Sequence, residues 1–465
     1  MSLTDLLAAP AAARRALDAG DAGVVELSEA ALARAEALQP VLGAFATLTP
    51  ELAREQARTA EAELRAGQAR GPLHGLPVAV KDVIDVAGVP TRLGTPAAGH
   101  RVPERSARVV DALIAGGAIV IGKATMHELA LGMTTPAARN PHDPERIAGG
   151  SSGGPAVAVA AGIAALALGT DTNGSVRCPA SHCGVIGLKP TREALSRAGV
   201  APLAWTQDTV GVLAPDARSA AVAWSVLAPT PDARSAADAW SLLDPAPDAR
   251  SAADAWGMLG PPSQQGQVRR IGVDRAACAA AAPEVGDGVT AALDELSGVE
   301  LVDVEGPDLA LCSGASVLAI VVEAAEAWGD ALDGVGPAVR GALRAGREVS
   351  PEAYLDAKRA RVLVSARMRA LFEREALDAL ALPTVPVTAT PAVLDRIPFH
   401  GRERSVESLQ GLFTAPASLT GQPALSVPCG RDADGMPIGL QLLGRSGAEE
   451  ALLALAGSIG ITSNN

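Results

Sequence analysis

Two glycine- and serine-rich stretches lie close together in the chain: Gly149-Gly150-Ser151-Ser152-Gly153-Gly154 and Gly169-Thr170-Asp171-Thr172-Asn173-Gly174-Ser175-Val176-Arg177. The run between them, Pro155 to Leu168, is almost wholly apolar and about the length of one buried helix. A helix there would fold the chain back and bring the two stretches together. Glycines let backbone N–H groups converge, and converging N–H groups stabilise an oxyanion. A serine beside them is a candidate nucleophile that still needs a base.

The candidate base lies upstream, at the end of an apolar segment. Residues 75–85, GLPVAVKDVID, predict a buried strand that ends at Lys81. Burial favours the neutral amine, which accepts a proton. A lone lysine of this kind more often reaches solvent or pairs with a carboxylate, here Asp82 or Asp85, and glycine–serine stretches alone are more often turns. The occurrence of all three features in one apolar region favours the catalytic interpretation.

On these residues the chain resembles the amidase signature family, whose members use a Ser–cis-Ser–Lys triad. The matching segments cover nearly the whole chain and are Gly71–Asp82, Gly122–Glu128, Gly149–Gly154, Gly169–Pro190 and Pro416–Gly444. The resemblance implies an amidase signature fold, that is, an α/β protein with a central mixed β-sheet covered by helices on both faces. It also implies a hydrolase that needs neither metal nor cofactor.

The resemblance assigns a role to each candidate catalytic residue. Ser175 is expected to be the acylated nucleophile, Ser151 the bridging serine after a cis peptide bond, and Lys81 the base. Neutral Lys81 would take a proton from Ser151, which takes one from Ser175 as it attacks the amide carbonyl. The reverse relay would protonate the departing amine, and water would then hydrolyse the acyl-enzyme.

The same resemblance predicts the groups around the substrate. The oxyanion hole is expected from the backbone N–H groups of Thr172, Asn173, Gly174 and Ser175. The substrate pocket is expected at the loop that contains Leu131, Gly132 and Met133, together with the divergent region 305–415.

Two residues depart from the pattern of most relatives. Asn173 stands where glycine is usual, and since Asn tolerates positive φ the loop need not collapse. We expect its side chain to be able to meet the leaving group or the carbonyl of the substrate. Asn173 also resembles the asparagine of carboxybiuret-hydrolase-type amidases, and this resemblance slightly favours a substrate of the biuret or urea type. His182 stands where an aromatic residue is commoner, and we expect it to be a packed histidine rather than a catalytic one.

Length and patterning along the chain predict one domain over 1–465, which the resemblance implies is an amidase domain. Residues 1–70 have helical periodicity, 71–200 form the catalytic core of alternating strands and helices, and 261–465 complete the sheet and the pocket. Residues 215–260 contain a repeat with a period of 16 residues, and its three units are Pro215–Trp224, Pro231–Trp240 and Pro247–Trp256. Each unit begins with Pro-Asp, which is typical of a helix start, and we expect its Trp to lie on the inner face of the helix. A tolerated surface insertion is favoured over a partner-docking solenoid.

Composition limits the classes of partner. The 465 residues are 48% hydrophobic but only 2% aromatic, which predicts a core of Ala, Val, Leu and Ile and mildly disfavours bulky aryl substrates. The net charge of −13 and the absence of a basic run predict no nucleic-acid binding. The five cysteines lack the spacing of a metal site, and their odd number argues against a disulfide framework. The N-terminus lacks a basic region, and no uninterrupted apolar run is long enough to span a membrane. We therefore expect a cytoplasmic protein that does not cross a membrane. A homodimer is left open.

Two other functions compete with a stand-alone amidase for a small carboxamide or ureide. The first is the glutaminase A-type subunit of a tRNA-dependent amidotransferase complex; such subunits carry a tyrosine-rich stretch near 317–328, whereas the single tyrosine here is Tyr354. The second is an α/β-hydrolase-type esterase with Ser152 as nucleophile in a G-x-S-x-G motif. That motif requires a preceding strand, and residues 140–146 read as a turn-rich loop.

Overall fold

Short apolar segments build a central mixed sheet of eleven strands in a computed structural model that describes residues 1–96, 101–228, 268–329 and 334–459. The order across the sheet is β1-β3-β2-β4-β6-β5-β12-β13-β9-β7-β8, and β10 and β11 form a separate hairpin. The strands are β1 Phe45–Leu48, β2 Pro77–Lys81, β3 Ile119–Ala124, β4 Leu166–Asp171, β5 Ile186–Lys189, β6 Thr209–Ala214, β7 Arg270–Val273, β8 Glu300–Asp303, β9 Ala379–Pro383, β10 Arg396–Phe399, β11 Arg402–Ser405, β12 Ala424–Arg431 and β13 Pro437–Gly444.

Helices flank this sheet, and many begin at a proline or at a capping side chain. Within the described residues they are α1 Leu3–Ala8, α2 Pro10–Ala19, α3 Val24–Leu42, α4 Pro50–Arg65, α5 Arg108–Ala115, α6 Gly153–Ala160, α7 Arg177–Cys183, α8 Ala217–Leu227, α9 Arg275–Ala279, α10 Pro283–Asp294, α11 Leu309–Trp328, α12 Pro337–Glu348, α13 Pro351–Arg374, α14 Val406–Gln410, α15 Ala415–Thr420 and α16 Glu449–Ala456. The predicted α/β class with a helix-flanked mixed sheet is confirmed.

Parallel pairing in the middle of the sheet positions the candidate site. β2 pairs in parallel with β4, with Val80 opposite Leu168. The carboxyl ends of the two strands therefore meet at the same edge, where β2 ends at Lys81 and β4 ends at Asp171. Both strands are buried along their whole length, as their continuous apolar sequences require.

One expected helix is shorter than the sequence indicated. The apolar run Pro155 to Leu168 does not form a single helix: α6 ends at Ala160, and β4 begins at Leu166. Gly162 adopts a φ of 60° and turns the chain, and Ala165 N–H then bonds to Pro77 O, which starts the pairing with β2. The consequence expected of the helix still holds, because Ser152 N–H donates to Ser175 O at 3.1 Å and joins the two glycine-rich stretches.

Helix α11 is the one helix of the described residues that is long and apolar enough to cross a membrane. It packs against α12, α13 and α15. Near its C-terminal end the buried Glu323 accepts hydrogen bonds from Thr206 Oγ1 at 2.6 Å and from Tyr354 Oη at 2.9 Å. The carboxylate thus ties α11 to the loop before β6 and to α13.

The first unit of the 16-residue repeat forms helix α8. Asp216 caps it by accepting the Ser219 N–H at 2.7 Å, and Trp224 is buried, as the repeat pattern predicted. The second and third units lie outside the described residues.

Candidate active site

Lys81 is fully buried at the end of β2, and its amine contacts two hydroxyl groups. Lys81 Nζ lies 2.8 Å from Ser151 Oγ and 2.8 Å from Thr170 Oγ1. Neither neighbouring carboxylate pairs with it, since Asp82 binds Lys123 and Asp85 binds Arg101. Burial lowers the pKa of Lys81 to about 7, although the negative charges of Asp171 and Asp208 act in the opposite direction. A substantial fraction of the amine is therefore neutral near pH 7 and able to accept a proton.

Ser151 lies on the turn that leads into α6. The peptide bond between Gly150 and Ser151 is cis. Ser151 O accepts the His127 N–H at 3.1 Å, and Ser151 Oγ faces Lys81. This arrangement directs the hydroxyl toward the sheet edge where β2 and β4 end.

Ser175 sits on the second glycine-rich stretch with 3% of its surface exposed. Its Oγ lies 3.6 Å from the Met133 Sδ, so the side chain of the predicted pocket residue Met133 is in direct contact with the candidate nucleophile. No hydrogen bond joins the Ser151 and Ser175 hydroxyl groups in the parts of the chain described here. Catalytic hydrogen bonds of this kind often tighten only when substrate is bound.

A buried ion pair holds the loop that carries Ser175. The Asp171 carboxylate accepts hydrogen bonds from Arg177 Nη2 at 2.8 Å and from Gly174 N–H at 2.8 Å. Burial alone would raise the pKa of Asp171, but the charge and hydrogen bonds of Arg177 outweigh it and hold this pKa below its usual range. Arg177 also reaches Gln441 Oε1 on β13 and Thr414 O before α15, so the loop is fixed to both of these elements.

The backbone N–H groups of the predicted oxyanion hole are not equivalent. Gly174 N–H is engaged by Asp171, which removes it from the set in this geometry. The N–H groups of Thr172, Asn173 and Ser175 have no acceptor among the described residues. Three of the four predicted donors are thus free to bind a ligand oxygen.

In this loop Gly174, and not Asn173, adopts the positive φ that the sequence led us to expect at Asn173. Gly174 has a φ of 115°, and a Cβ there would overlap Thr414, so only glycine fits. Asn173 does not adopt positive φ, so its tolerance of that conformation is not needed. Its side chain is instead fixed by Ser316 of α11, and its carbonyl accepts the Thr414 hydroxyl at 2.6 Å.

The predicted pocket loop passes directly over His127. A Cβ on Gly132 would overlap the His127 ring, which explains the glycine. Thr135 N–H donates to His127 Nδ1 at 3.3 Å, and burial lowers the pKa of His127, so the ring is neutral. Its 3.8 Å approach to Glu407 is therefore not an ion pair.

Helix α14 supplies a carboxylate that holds this loop. Glu407 accepts the Met133 N–H at 2.5 Å and the Thr134 hydroxyl at 2.6 Å. Leu131 N–H bonds to Glu128 O within the loop itself. Of the predicted pocket residues, Met133 contacts the nucleophile, Gly132 permits the close approach to His127, and Leu131 packs against the core.

His182 is packed, as the sequence predicted. It is fully buried, its Nε2 lies against Gln410 Oε1, and burial lowers its pKa to about 4. The ring is neutral and does not contact Lys81, Ser151 or Ser175 through any hydrogen bond of the described residues.

Ser152 occupies a structural position rather than a catalytic one. Its Oγ donates to Thr170 O at 3.1 Å, and Ser152 precedes α6 without a strand before it. The geometry that an α/β-hydrolase nucleophile requires is therefore missing here.

Sequence reasoning missed three contacts at the site. Thr170 Oγ1 contacts the same Lys81 amine as Ser151 Oγ. Thr170 lies in the second glycine-rich stretch, but no feature of the sequence marks it as a site residue. Asp171 and Arg177 frame that same stretch, and a charged pair inside a glycine-rich apolar region is the signal that could have identified them. Glu407 carried no such signal, because it lies 274 residues from Met133 in the sequence.

Comparison with known proteins gives consistent results. The family model "Amidase" matches residues 26–453. The A subunit of the glutamyl-tRNA(Gln) amidotransferase from Roseiflexus sp. (strain RS-1) is 37% identical over 480 residues, which covers 95% of this chain and 94% of the relative. A solved structure described as an amidase superposes with a TM-score of 0.82 at 35% identity, covering 96% of this chain and 98% of the other.

A second solved structure comes from a protein complex described as revealing "the evolutionary origins of an s-triazine catabolic enzyme". It has a TM-score of 0.85 and 32% identity, and the match covers 96% of each chain. The family model spans the positions of the candidate site, and the relatives each cover 95–96% of the chain. The chain therefore belongs to the amidase signature family and is a hydrolase of carbon–nitrogen bonds.

Proposed function

We propose that this amidase hydrolyses a small primary carboxamide or ureide through an acyl-enzyme on Ser175. Ser175 Oγ would attack the carbonyl carbon while its proton passes to Ser151 and the Ser151 proton passes to neutral Lys81. Return of the proton through Ser151 lets the C–N bond break and ammonia leave. Water then cleaves the ester bond to Ser175 and releases the carboxylic acid.

The contact that carries this proposal is the 2.8 Å hydrogen bond between Lys81 Nζ and Ser151 Oγ. The lysine is completely buried, and its pKa of about 7 suits a group that must both take and return a proton near neutral pH. Thr170 Oγ1 holds the same amine from a second direction and so orients it. The free N–H groups of Thr172, Asn173 and Ser175 would stabilise the oxyanion.

The charges near Ser175 support an uncharged substrate group. Asp171 is paired with Arg177, Asp208 is hydrogen-bonded to Thr172 Oγ1 at 2.7 Å, and Glu407 holds the pocket loop. None of these three carboxylates is left to bind a substrate ammonium group. A small neutral amide therefore suits the site better than a zwitterionic amino acid.

A second candidate function is favoured by the names of the relatives. Several that match 95% of this chain are glutamyl-tRNA(Gln) amidotransferase A subunits. In that role the same acyl-enzyme chemistry would act on glutamine, ammonia would be passed on, and partner subunits would be required. The two candidates share Lys81, Ser151 and Ser175 and differ in substrate and partner.

The test is covalent labelling followed by substrate screening. The purified chain is exposed to a fluorophosphonate and mapped by peptide mass spectrometry; label is expected on Ser175 and is expected to be lost in Lys81→Ala. Ammonia release is then measured with small amides, ureides and glutamine. Label on Ser152 would overturn the assignment, and glutamine turnover that appears only with added partner subunits would favour the second candidate.

A further inference from the structure

A buried carboxylate, that of Asp208, lies at the sheet edge where β4 ends. β4 pairs antiparallel with β6, and the last pair of this ladder is Asp171 opposite Thr209. The next residues beyond the ladder, Thr172 and Asp208, are therefore neighbours, and Thr172 Oγ1 donates to Asp208 Oδ1 at 2.7 Å. Both side chains are buried. The register of the sheet thus brings this carboxylate to the edge that also carries Lys81.

The loop before β6 supplies two more hydrogen bonds to Asp208. Its Oδ2 accepts the N–H groups of Leu203 at 2.8 Å and Ala204 at 3.0 Å. Burial raises the pKa of Asp208, whereas the hydrogen bonds from Thr172, Leu203 and Ala204 act in the opposite direction. Each carboxylate oxygen faces hydrogen-bond donors, which is the arrangement that suits the ionised form.

No cation of the described residues pairs with Asp208. Its hydrogen bonds there come from one hydroxyl and two backbone N–H groups. Arg197 acts on it through its charge alone, because its guanidinium donates to Trp205 O instead. Asp171 at the same edge is different, since it pairs with Arg177. Asp208 therefore brings a negative charge that no neighbouring side chain neutralises.

Two threonines lie between this charge and the candidate base. Lys81 Nζ contacts Thr170 Oγ1 at 2.8 Å, and Thr172, two residues further on, contacts Asp208. Thr170, Thr172 and Asp208 line one small cavity. The other titratable groups near Lys81 do not supply such a charge. Asp82 pairs with Lys123, and burial lowers the pKa of His127, so its ring is neutral.

The proton relay requires a negative charge near the base. When the Ser151 proton moves to Lys81 Nζ, the neutral amine becomes an ammonium group, and an isolated ammonium group is costly in a buried site. We propose that Asp208 is a positioning residue of the relay, whose negative charge stabilises the ammonium form of Lys81 while the acyl-enzyme forms and breaks down. This role rests on the proposed acyl-enzyme function. Asp208 itself takes no proton and forms no bond to the substrate.

The experiment measures the pH dependence of Ser175 labelling by a fluorophosphonate, on both sides of pH 7. Asp208→Asn removes the charge and keeps the size of the side chain. Asp208→Ser removes the charge as well, and it avoids placing an amide NH2 group against the backbone N–H donors. Asp274→Asn is the matched control, because Asp274 is also buried and caps α9, but its charge does not act on Lys81. Circular dichroism checks that each variant folds.

Wild type is expected to show a labelling rate that rises with pH through a midpoint near 7. Loss of a negative charge disfavours the ammonium form, so the midpoint should fall by about one pH unit in both Asp208 variants, the lower end of the effect of an opposite charge. Asp274→Asn should keep the wild-type midpoint.

The outcomes separate this role from the proposed function. An unchanged or higher midpoint in the Asp208 variants that fold would overturn the role of Asp208 alone. An equal fall in Asp274→Asn would also overturn it, because the loss of any buried carboxylate would then have the same effect. Absence of label on Ser175 in wild type would overturn the proposed function as well.

Discussion

Lys81 is one of three lysines that are completely buried among the described residues, and its partners distinguish it from the others. Lys123 pairs with Asp82, and Lys189 Nζ donates to the carbonyl of the adjacent Pro190. Burial lowers the pKa of Lys189 to about 7 as well, so a perturbed pKa does not identify the base. What distinguishes Lys81 as the proposed base is its contact with the Ser151 hydroxyl, since Lys123 instead contacts the Asp82 carboxylate and the Thr91 hydroxyl.

The pH dependence of turnover follows from the state of Lys81. The base must be neutral, and burial lowers its pKa from the ordinary 10.5 to about 7. The kcat/KM is therefore expected to rise with pH through about 7 and then level off. A pH–rate profile with a stable amide substrate measures this. A profile that rises only near pH 10 would contradict a buried, desolvated base.

Two adjacent serines provide a matched pair of variants. Ser151→Ala breaks the proton relay and is expected to lower kcat by about 10²- to 10⁴-fold, the usual contribution of proton transfer. Ser152→Ala removes a hydrogen bond to Thr170 O and is expected to have a much smaller effect. Steady-state ammonia release measures both, and circular dichroism checks the fold. The reverse order of severity would contradict the assignment.

At the scale of elements, helix α14 acts on the site from outside the catalytic core. Its Glu407 holds Met133 N–H and the Thr134 hydroxyl, and Met133 in turn contacts Ser175. Three non-glycine residues of the surrounding loop, Leu129, Ala130 and Thr135, adopt positive φ. A loop with this backbone strain needs such contacts to keep its shape.

Glu407→Ala is expected to raise KM about tenfold with a smaller change in kcat, because the pocket loop loosens while the proton relay is intact. Glu407→Gln keeps one amide oxygen as an acceptor and should restore part of the affinity. Steady-state kinetics on a small amide separate the two parameters. A fall in kcat with unchanged KM would instead assign Glu407 to the chemical step.

At the scale of the whole molecule, Arg177 joins distant parts of the sheet and its helices. Its guanidinium pairs with Asp171 at the end of β4 and donates to Gln441 Oε1 on β13. It also donates to Thr414 O just before α15 and to Ser418 Oγ within α15. All these groups are buried. Arg177→Met leaves the Asp171 charge unpaired and is expected to lower the free energy of unfolding by about 3–5 kcal/mol, measured by urea denaturation.

The stability that Asp171 contributes depends on pH with a definite sign. Its folded-state pKa lies below the ordinary 3.8. The stabilisation that the ionised Asp171 carboxylate provides is therefore fully present above about pH 3.8, the ordinary pKa, and is lost as the pH falls through the folded-state pKa. The difference in unfolding free energy between wild type and Asp171→Asn should be constant from pH 7 to about 5 and shrink only in stronger acid. A difference that grows toward acid would contradict the lowered pKa.

Local sequence was sufficient for the α/β class and for the segments that carry the three catalytic candidates, whereas the resemblance to the amidase signature family singled out Ser151 and Ser175 within them. The apolar strand before Lys81 and the two glycine-rich stretches are short-range patterns, because burial, turns and backbone exposure are properties of neighbouring residues. Element boundaries were less accurate. The run from Pro155 to Leu168 has the composition of a helix, yet pairing with β2 turns its end into a strand.

What the sequence by itself determined is which residues are the catalytic candidates: Lys81, Ser151 and Ser175. Only the tertiary structure decided which groups they and their neighbours bind. It paired Asp82 with Lys123 and the Gly174 N–H with Asp171. It also brought Ser316 into contact with Asn173, 143 residues away in the sequence, and Glu407 into contact with Met133, 274 residues away. Such partners are chosen by packing, because a buried polar group must bond to whatever the fold places beside it.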